Sequence, residues 1–124
     1  MLDDAALVAF AATTQPDASR TFYADTLGLT MTEDSPFALV FDANGTTLRI
    51  QKVQDMAPPG HTVLGWEVAD ITATIESLTA AGVEFVHFDP LPQDADGVWT
   101  TPDGTRVAWF RDPDGNLLSL TETA

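Results

Sequence analysis

The chain has no cysteine among its 124 residues. That removes disulfides, thiolate metal sites and cysteine nucleophiles, and it is compatible with a reducing cytoplasm, the compartment expected for this protein. Basic residues are scarce as well. Arg20, Arg49, Lys52, Arg106 and Arg111 face nineteen acidic side chains, for a formal charge of −14. Such a surface repels nucleic-acid phosphates and anionic lipid, so neither nucleic acid nor a membrane is expected as a partner. It favours cationic ligands, although acidity also serves solubility alone. No apolar run approaches the roughly 20 residues needed to cross a bilayer. Met1-Leu-Asp-Asp-Ala5 has no positive stretch ahead of an apolar one, so no signal peptide is read there.

What the chain does have is 44% hydrophobic residues, enough for one domain, residues 1–124, that buries roughly two-thirds of its unfolded surface. An internal repeat organises it. In the first half, the apolar run 7–12 suits a buried strand and ends at the polar cluster 13–17. Asp17 is the expected helix N-cap, Ala18, Phe22 and Leu27 the expected inner face, and Gly28 the C-terminal stop. In the second half, residues 63–68 repeat the strand. Asp70 repeats the cap, Ile71, Ile75 and Leu78 recur at helical spacing, and Gly82 closes the helix. A further strand is expected from Leu29, and its counterpart at 83–86. Each half then holds a hairpin, 37–41 with 47–51 and 107–111 with 117–121. Asn44-Gly45 and Asp114-Gly115 supply the positive φ angles of tight turns.

Gly45 and Gly115 lie seventy residues apart, Gly28 and Gly82 only fifty-four. The second half therefore carries about sixteen extra residues, roughly 88–105, a length often associated with function. The fold class expected is α+β: two βαβββ modules, about 1–57 and 61–124, with each helix covering one face of its sheet.

Three segments carry a family resemblance. Phe22-Tyr-Ala-Asp-Thr-Leu-Gly28, the stretch from Gly65-Trp-Glu-Val through Ala81-Gly-Val-Glu-Phe85, and Phe110-Arg-Asp-Pro-Asp-Gly-Asn-Leu117 occur in the order and spacing of the glyoxalase/bleomycin-resistance/dioxygenase family, also called the vicinal oxygen chelate superfamily. The resemblance implies paired modules whose mixed sheets curl around a cavity, and homodimers. It does not imply one activity, because fold is not function.

Metal-using members of that family place His, Glu or Gln on four strands, and the resemblance puts those positions at Val8, Gln51, Val63 and Ser119. Two hydrocarbons, an amide and a hydroxyl make a poor donor set, so no metal site and no cofactor are expected. His61, Gln51 and Glu67 form a conceivable alternative set, but His61 and Glu67 lie roughly 20 Å apart along one strand. His87, a lone histidine at a strand end, reads as a surface or structural residue. Asp94-Ala-Asp-Gly97 and Asp112-Pro-Asp-Gly115 lack the closing Glu of a calcium loop and read as turns.

Alternation along the strands gives a candidate ligand-binding set, Phe10, Arg49, Gln51, Val63, Glu67 and Ser119, and Trp99 of the inserted segment joins it as a residue lying over the cavity mouth. Val8, Ala12, Val53, Gly65, Leu117 and Thr121 share its parity, and Leu48, Ile50, Leu64, Trp66, Val68, Leu118 and Leu120 pack beneath the helices. Glu67 is expected to be buried or half-buried. It holds a ligand cation, acts as a catalytic base or pairs with Arg49. Trp99 stacks on a flat or cationic ligand or anchors its loop, and Trp109 belongs to the core or a dimer interface. Two functions remain open: a metal-independent protein that sequesters a cationic or aromatic compound such as an antibiotic, or a metal-dependent lyase or dioxygenase. A dimeric scaffold with a filled cavity is the third and blandest reading.

Overall fold

The computed structural model describes all 124 residues, Met1–Ala124. It divides into two compact units, Met1–Pro58 and Pro59–Ala124. Each has the βαβββ order expected of an α+β fold.

The first unit runs β1 (Val8–Thr13), α1 (Pro16–Thr21), β2 (Thr30–Asp34), β3 (Ala38–Ala43) and β4 (Thr46–Lys52). Its sheet has the order β1-β4-β3-β2, with β1 parallel to β4 and the other neighbours antiparallel. The β3–β4 turn has Asn44 at φ +51° followed by Gly45 at φ +93°. Two successive positive φ angles define the primed turn that matches the twist of a hairpin. Leu39, Phe41, Leu48 and Ile50 are buried and share the parity that faces the helix.

Helix α1 departs from the sequence reading twice. It begins at Pro16, with Gln15 at the cap position. Proline fits the first helical position because the N–H it lacks has no intrahelical acceptor there. Asp17 thus sits in the first turn instead of capping it, and it pairs with Arg20 at 3.1 Å. The helix then widens into a π-helical segment, Phe22–Thr26, with Leu27 N–H donating to the Phe22 carbonyl. The buried face is Ser19 and Tyr23, not Ala18 and Phe22. Tyr23, fully buried, meets Phe41 of β3 with ring centroids 5.8 Å apart. At the sheet's far edge, Asp34 of β2 accepts from Lys52 Nζ at 2.6 Å and Arg20 Nη1 at 3.1 Å. These bonds tie β2 to both β4 and the helix.

The second unit runs β5 (Thr62–Glu67), α2 (Ile71–Ala80), β6 (Trp99–Thr100), β7 (Arg106–Arg111) and β8 (Leu117–Glu122). Its sheet has the order β5-β8-β7-β6. Asp70 caps α2 as expected, its carboxylate accepting from Ala73 N–H at 3.0 Å. Ile71, Ile75 and Leu78 are buried. Glu122 adds a second acceptor, for Ile71 N–H at 3.0 Å, and also pairs with Arg106 at 3.6 Å.

Residues 83–86 do not form the expected strand. Phe85 makes one bridge to Phe110, and Val86 N–H donates to the Trp109 carbonyl. The extra segment then folds back, and the two-residue β6 takes the sheet's outer position. Gln93 fastens that fold. Its Oε1 accepts from Phe88 N–H at 2.6 Å, and its Nε2 donates to the carbonyls of Val86 and Gly97. Both acidic loops are turns. Asp112, buried, accepts from Asp114 N–H and Asn116 N–H on Oδ1 and from Asn116 Nδ2 on Oδ2. Its carboxylate is consumed by the turn.

Candidate ligand-binding face

The face of the second sheet opposite α2 can be built row by row from its register. One row runs Trp99, Val107, Thr121, Glu67 across β6, β7, β8 and β5; the next runs Trp109, Ser119, Gly65. The third pairs Arg111 with Leu117 and Leu117 with Thr62. Sequence parity assigns Ser119 and Glu67 to one face, and the register adds Trp99, read from the sequence as part of a loop. It did not place Trp109, assigned to core or interface, or Phe88. Trp99 and Trp109 lie with ring centroids 6.3 Å apart and planes 24° from parallel, and Phe88 meets Trp109 edge-on at 5.5 Å. All three are half-buried. The missing signal was available in the hairpin. The Asp-Gly turn fixes a register in which Ala108 and Phe110 go to the core, and Trp109 must then point the other way.

Val63 does not take its expected place. The β5–β8 register shifts between Thr62 and Leu64, which makes Val63 the residue of a β-bulge and puts Thr62 on the face instead. Thr62 Oγ1 accepts from Trp109 Nε1–H at 3.2 Å, so the indole of β7 reaches across β8 to β5. Glu67 also departs from expectation. It is exposed, not buried, and Oε1 accepts from Thr123 Oγ1 at 3.2 Å. Ser119 is only 8% exposed. Its hydroxyl lies over Gly65, where a Cβ would meet Oγ at 2.8 Å.

In the first unit, Phe10 and Arg49 are paired neighbours on β1 and β4, and Gln51 follows on the same face opposite Ala12. Phe10 is 51% exposed, and Arg49 and Gln51 are exposed. Arg49 has no ion-pair partner within its own unit. These residues form a polar-aromatic face of the first unit.

The metal positions implied by the resemblance do not fit an ion. Val8 lies opposite Thr47, and Gln51 is four residues further along β4, about 13 Å away at strand rise. The residue that follows Thr47 on that face is Arg49, a cation. In the second unit Val63 is the bulge, and Ser119 offers a neutral hydroxyl beside an indole. Within neither unit do three His, Asp or Glu side chains gather where they could hold a metal, and convergence of several such donors is what a divalent ion needs. His61 and His87 are exposed. His87, with Glu84 and Asp96, rims a separate cleft of about 380 Å³ floored by Ile75, Val83 and Phe85.

No helix is long and apolar enough to cross a membrane. No curated protein matches the sequence. Solved structures do match the fold. TnmS3, an antibiotic binding protein from Streptomyces sp. CB03234, shares 23% identity at a TM-score of 0.73, over 100% of this chain and 99% of that one. TioX from Micromonospora sp. ML1 shares 22% at 0.72, over 97% and 99%. A glyoxalase/bleomycin resistance protein/dioxygenase superfamily member from Sphaerobacter thermophilus shares 26% at 0.70, over 94% and 97%. The family model for the Glyoxalase/Bleomycin resistance protein/Dioxygenase superfamily matches residues 6–120, and with the two βαβββ units this shows that the chain belongs to that superfamily.

Proposed function

We propose that this chain is a small-molecule-binding protein that works without a metal and captures a flat aromatic compound bearing a positive charge, an antibiotic being one such compound. The observation that carries the reading is the indole pair Trp99–Trp109 on the face opposite α2, with the exposed carboxylate of Glu67 in the same cross-strand row as Trp99. Stacked indoles offer a wide π surface, and a cation over such a surface gains about 0.5–2 kcal/mol. The charge of −14 draws cations toward the protein from a distance. The fold shared with TnmS3, itself an antibiotic binding protein, supports the same reading. The protein acts as a homodimer in the cytoplasm under this proposal, and Phe10, Arg49 and Gln51 are the ligand-contacting set of the first unit's own face.

The test is thermal unfolding with a panel of two- to four-ring planar ammonium compounds, and separately with Mn²⁺, Ni²⁺, Zn²⁺ and Fe²⁺ after chelation. A compound at 100 times its Kd adds about 2.7 kcal/mol, roughly a 10 °C rise for a chain of this size. Trp99→Ala is expected to weaken that compound about tenfold, and Glu67→Gln to remove the preference for charged over neutral analogues. An ion bound a thousandfold below its concentration adds about 4 kcal/mol. A shift of that size with any one ion, and none with the aromatic cations, would replace this reading with the metal-dependent lyase or dioxygenase.

A further inference from the structure

Ser119 is a polar side chain more than nine-tenths covered, and its hydroxyl bonds to no group of the chain. The other hydrogen-bonding groups near it are occupied. Trp109 Nε1–H is given to Thr62, and Glu67 takes the Thr123 hydroxyl. Thr121 is half-buried and better solvated. The oxygen is not sealed off: the buried side-chain oxygen without a partner is Ser19 Oγ, and a hydroxyl that touches solvent and bonds to no group of the chain is free to bond a ligand. The backbone is arranged to keep the hydroxyl. Gly65 has no Cβ at the one place where a Cβ would displace Ser119 Oγ, 2.8 Å away. The Trp109 ring, anchored at both ends of its reach, lies in the same row as Ser119 and Gly65.

We infer that Ser119 is a specificity-determining residue of this face, the hydrogen-bonding point for a neutral polar group at the edge of the ligand's ring. The inference rests on the reading of this face as an aromatic-binding surface. It narrows the ligand class to planar aromatics carrying a phenol, carbonyl or amide beside the ring, with the charged group directed to Glu67. A serine hydroxyl both donates and accepts, so it takes a phenol or a carbonyl equally.

The experiment uses two probes of one shape, 2-naphthol and 2-methylnaphthalene, titrated calorimetrically into the full chain and into Ser119→Ala. One neutral hydrogen bond corresponds to roughly a three- to tenfold preference. The native protein is expected to bind 2-naphthol tighter by that factor. Ser119→Ala is expected to bind both equally, with the affinity for 2-methylnaphthalene unchanged. A role in folding alone would move both probes together. Gly65→Ala, which displaces the hydroxyl without deleting it, is the second variant and is expected to lose the same preference. If the native protein binds the two probes equally, or if Ser119→Ala keeps the preference, the inference is overturned while the aromatic-binding reading stands. If neither probe binds while the planar ammonium compounds do, the inference is overturned and the aromatic-binding reading stands; if the ammonium compounds also fail to bind, both fall.

Discussion

Gly65 and Ser119 should behave as a coupled pair, and the structure fixes the sign of the coupling. Gly65 has an ordinary strand backbone, so alanine there meets only a steric obstacle. The obstacle is Ser119 Oγ at 2.8 Å; the next atom, the Ser119 carbonyl oxygen, is at a comfortable 3.7 Å. Replacing glycine by alanine where the backbone allows it stabilises by about 0.4–1 kcal/mol, because the unfolded chain loses freedom. In the native background this gain is offset by driving Ser119 out of its rotamer, at about 0.5–1.5 kcal/mol. Gly65→Ala should then fall between about 0.5 kcal/mol stabilising and about 1 kcal/mol destabilising. In a Ser119→Ala background the obstructing atom is gone, and the same substitution should stabilise by about 0.4–1 kcal/mol. The four proteins of this cycle, unfolded thermally, should show a coupling of about 0.5–1.5 kcal/mol, a few degrees in midpoint. Additivity within about 0.3 kcal/mol would refute the claim that the hydroxyl rests over Gly65.

Asp34 should govern part of the acid response. Its pKa is lowered first by the hydrogen bond from Lys52, then by the charges of Lys52 and Arg20, with desolvation opposing. A group held below its unfolded value of about 3.9 contributes stability that is present above that pH and is lost as pH falls through the folded value. Asp34→Asn is expected to flatten the melting midpoint's dependence on pH below about 4, and an unchanged slope would show the contacts to be inert. Gln93→Ala removes three bonds from the inserted segment and should cost about 1–3 kcal/mol. It should also loosen the Trp99–Trp109 stack, read as a weakened near-ultraviolet circular dichroism signal; an intact signal would mean that the segment holds itself without Gln93.

Much of this architecture was legible because period and turn chemistry agree. The helix at 71–80 was announced by its cap, its apolar spacing and its glycine, and the hairpins by Asn-Gly and Asp-Gly. The misreadings have local causes. The inner face of α1 was misplaced by one residue because Ala18 and Phe22 are apolar at helical spacing, whereas the true face, Ser19 and Tyr23, has the same four-residue spacing but begins with a polar residue. Val63 was assigned to the face by counting along β5, and one bulge changes the count. Trp99 was placed in a loop because two residues of strand carry too little alternation to be recognised. Glu67 was expected to be covered because its parity is right, but parity fixes direction and not depth. Trp109 is the instructive omission. Its face followed from the register of its own hairpin, yet a tryptophan flanked by apolar residues reads as core.

The end of β8 has one more consequence. Glu122 and Thr123 are consecutive, so their side chains leave on opposite sides of the strand. Glu122 holds the first N–H of α2, and Thr123 holds the carboxylate of Glu67. One peptide unit therefore connects the hydrogen bond at the helix start to the one on the opposite surface. Any cation that draws Glu67 away from Thr123 loads the same short piece of backbone that anchors the helix start. Occupancy of the aromatic face should therefore register as altered amide-exchange protection in the first turn of α2, on the far side of the sheet from the ligand.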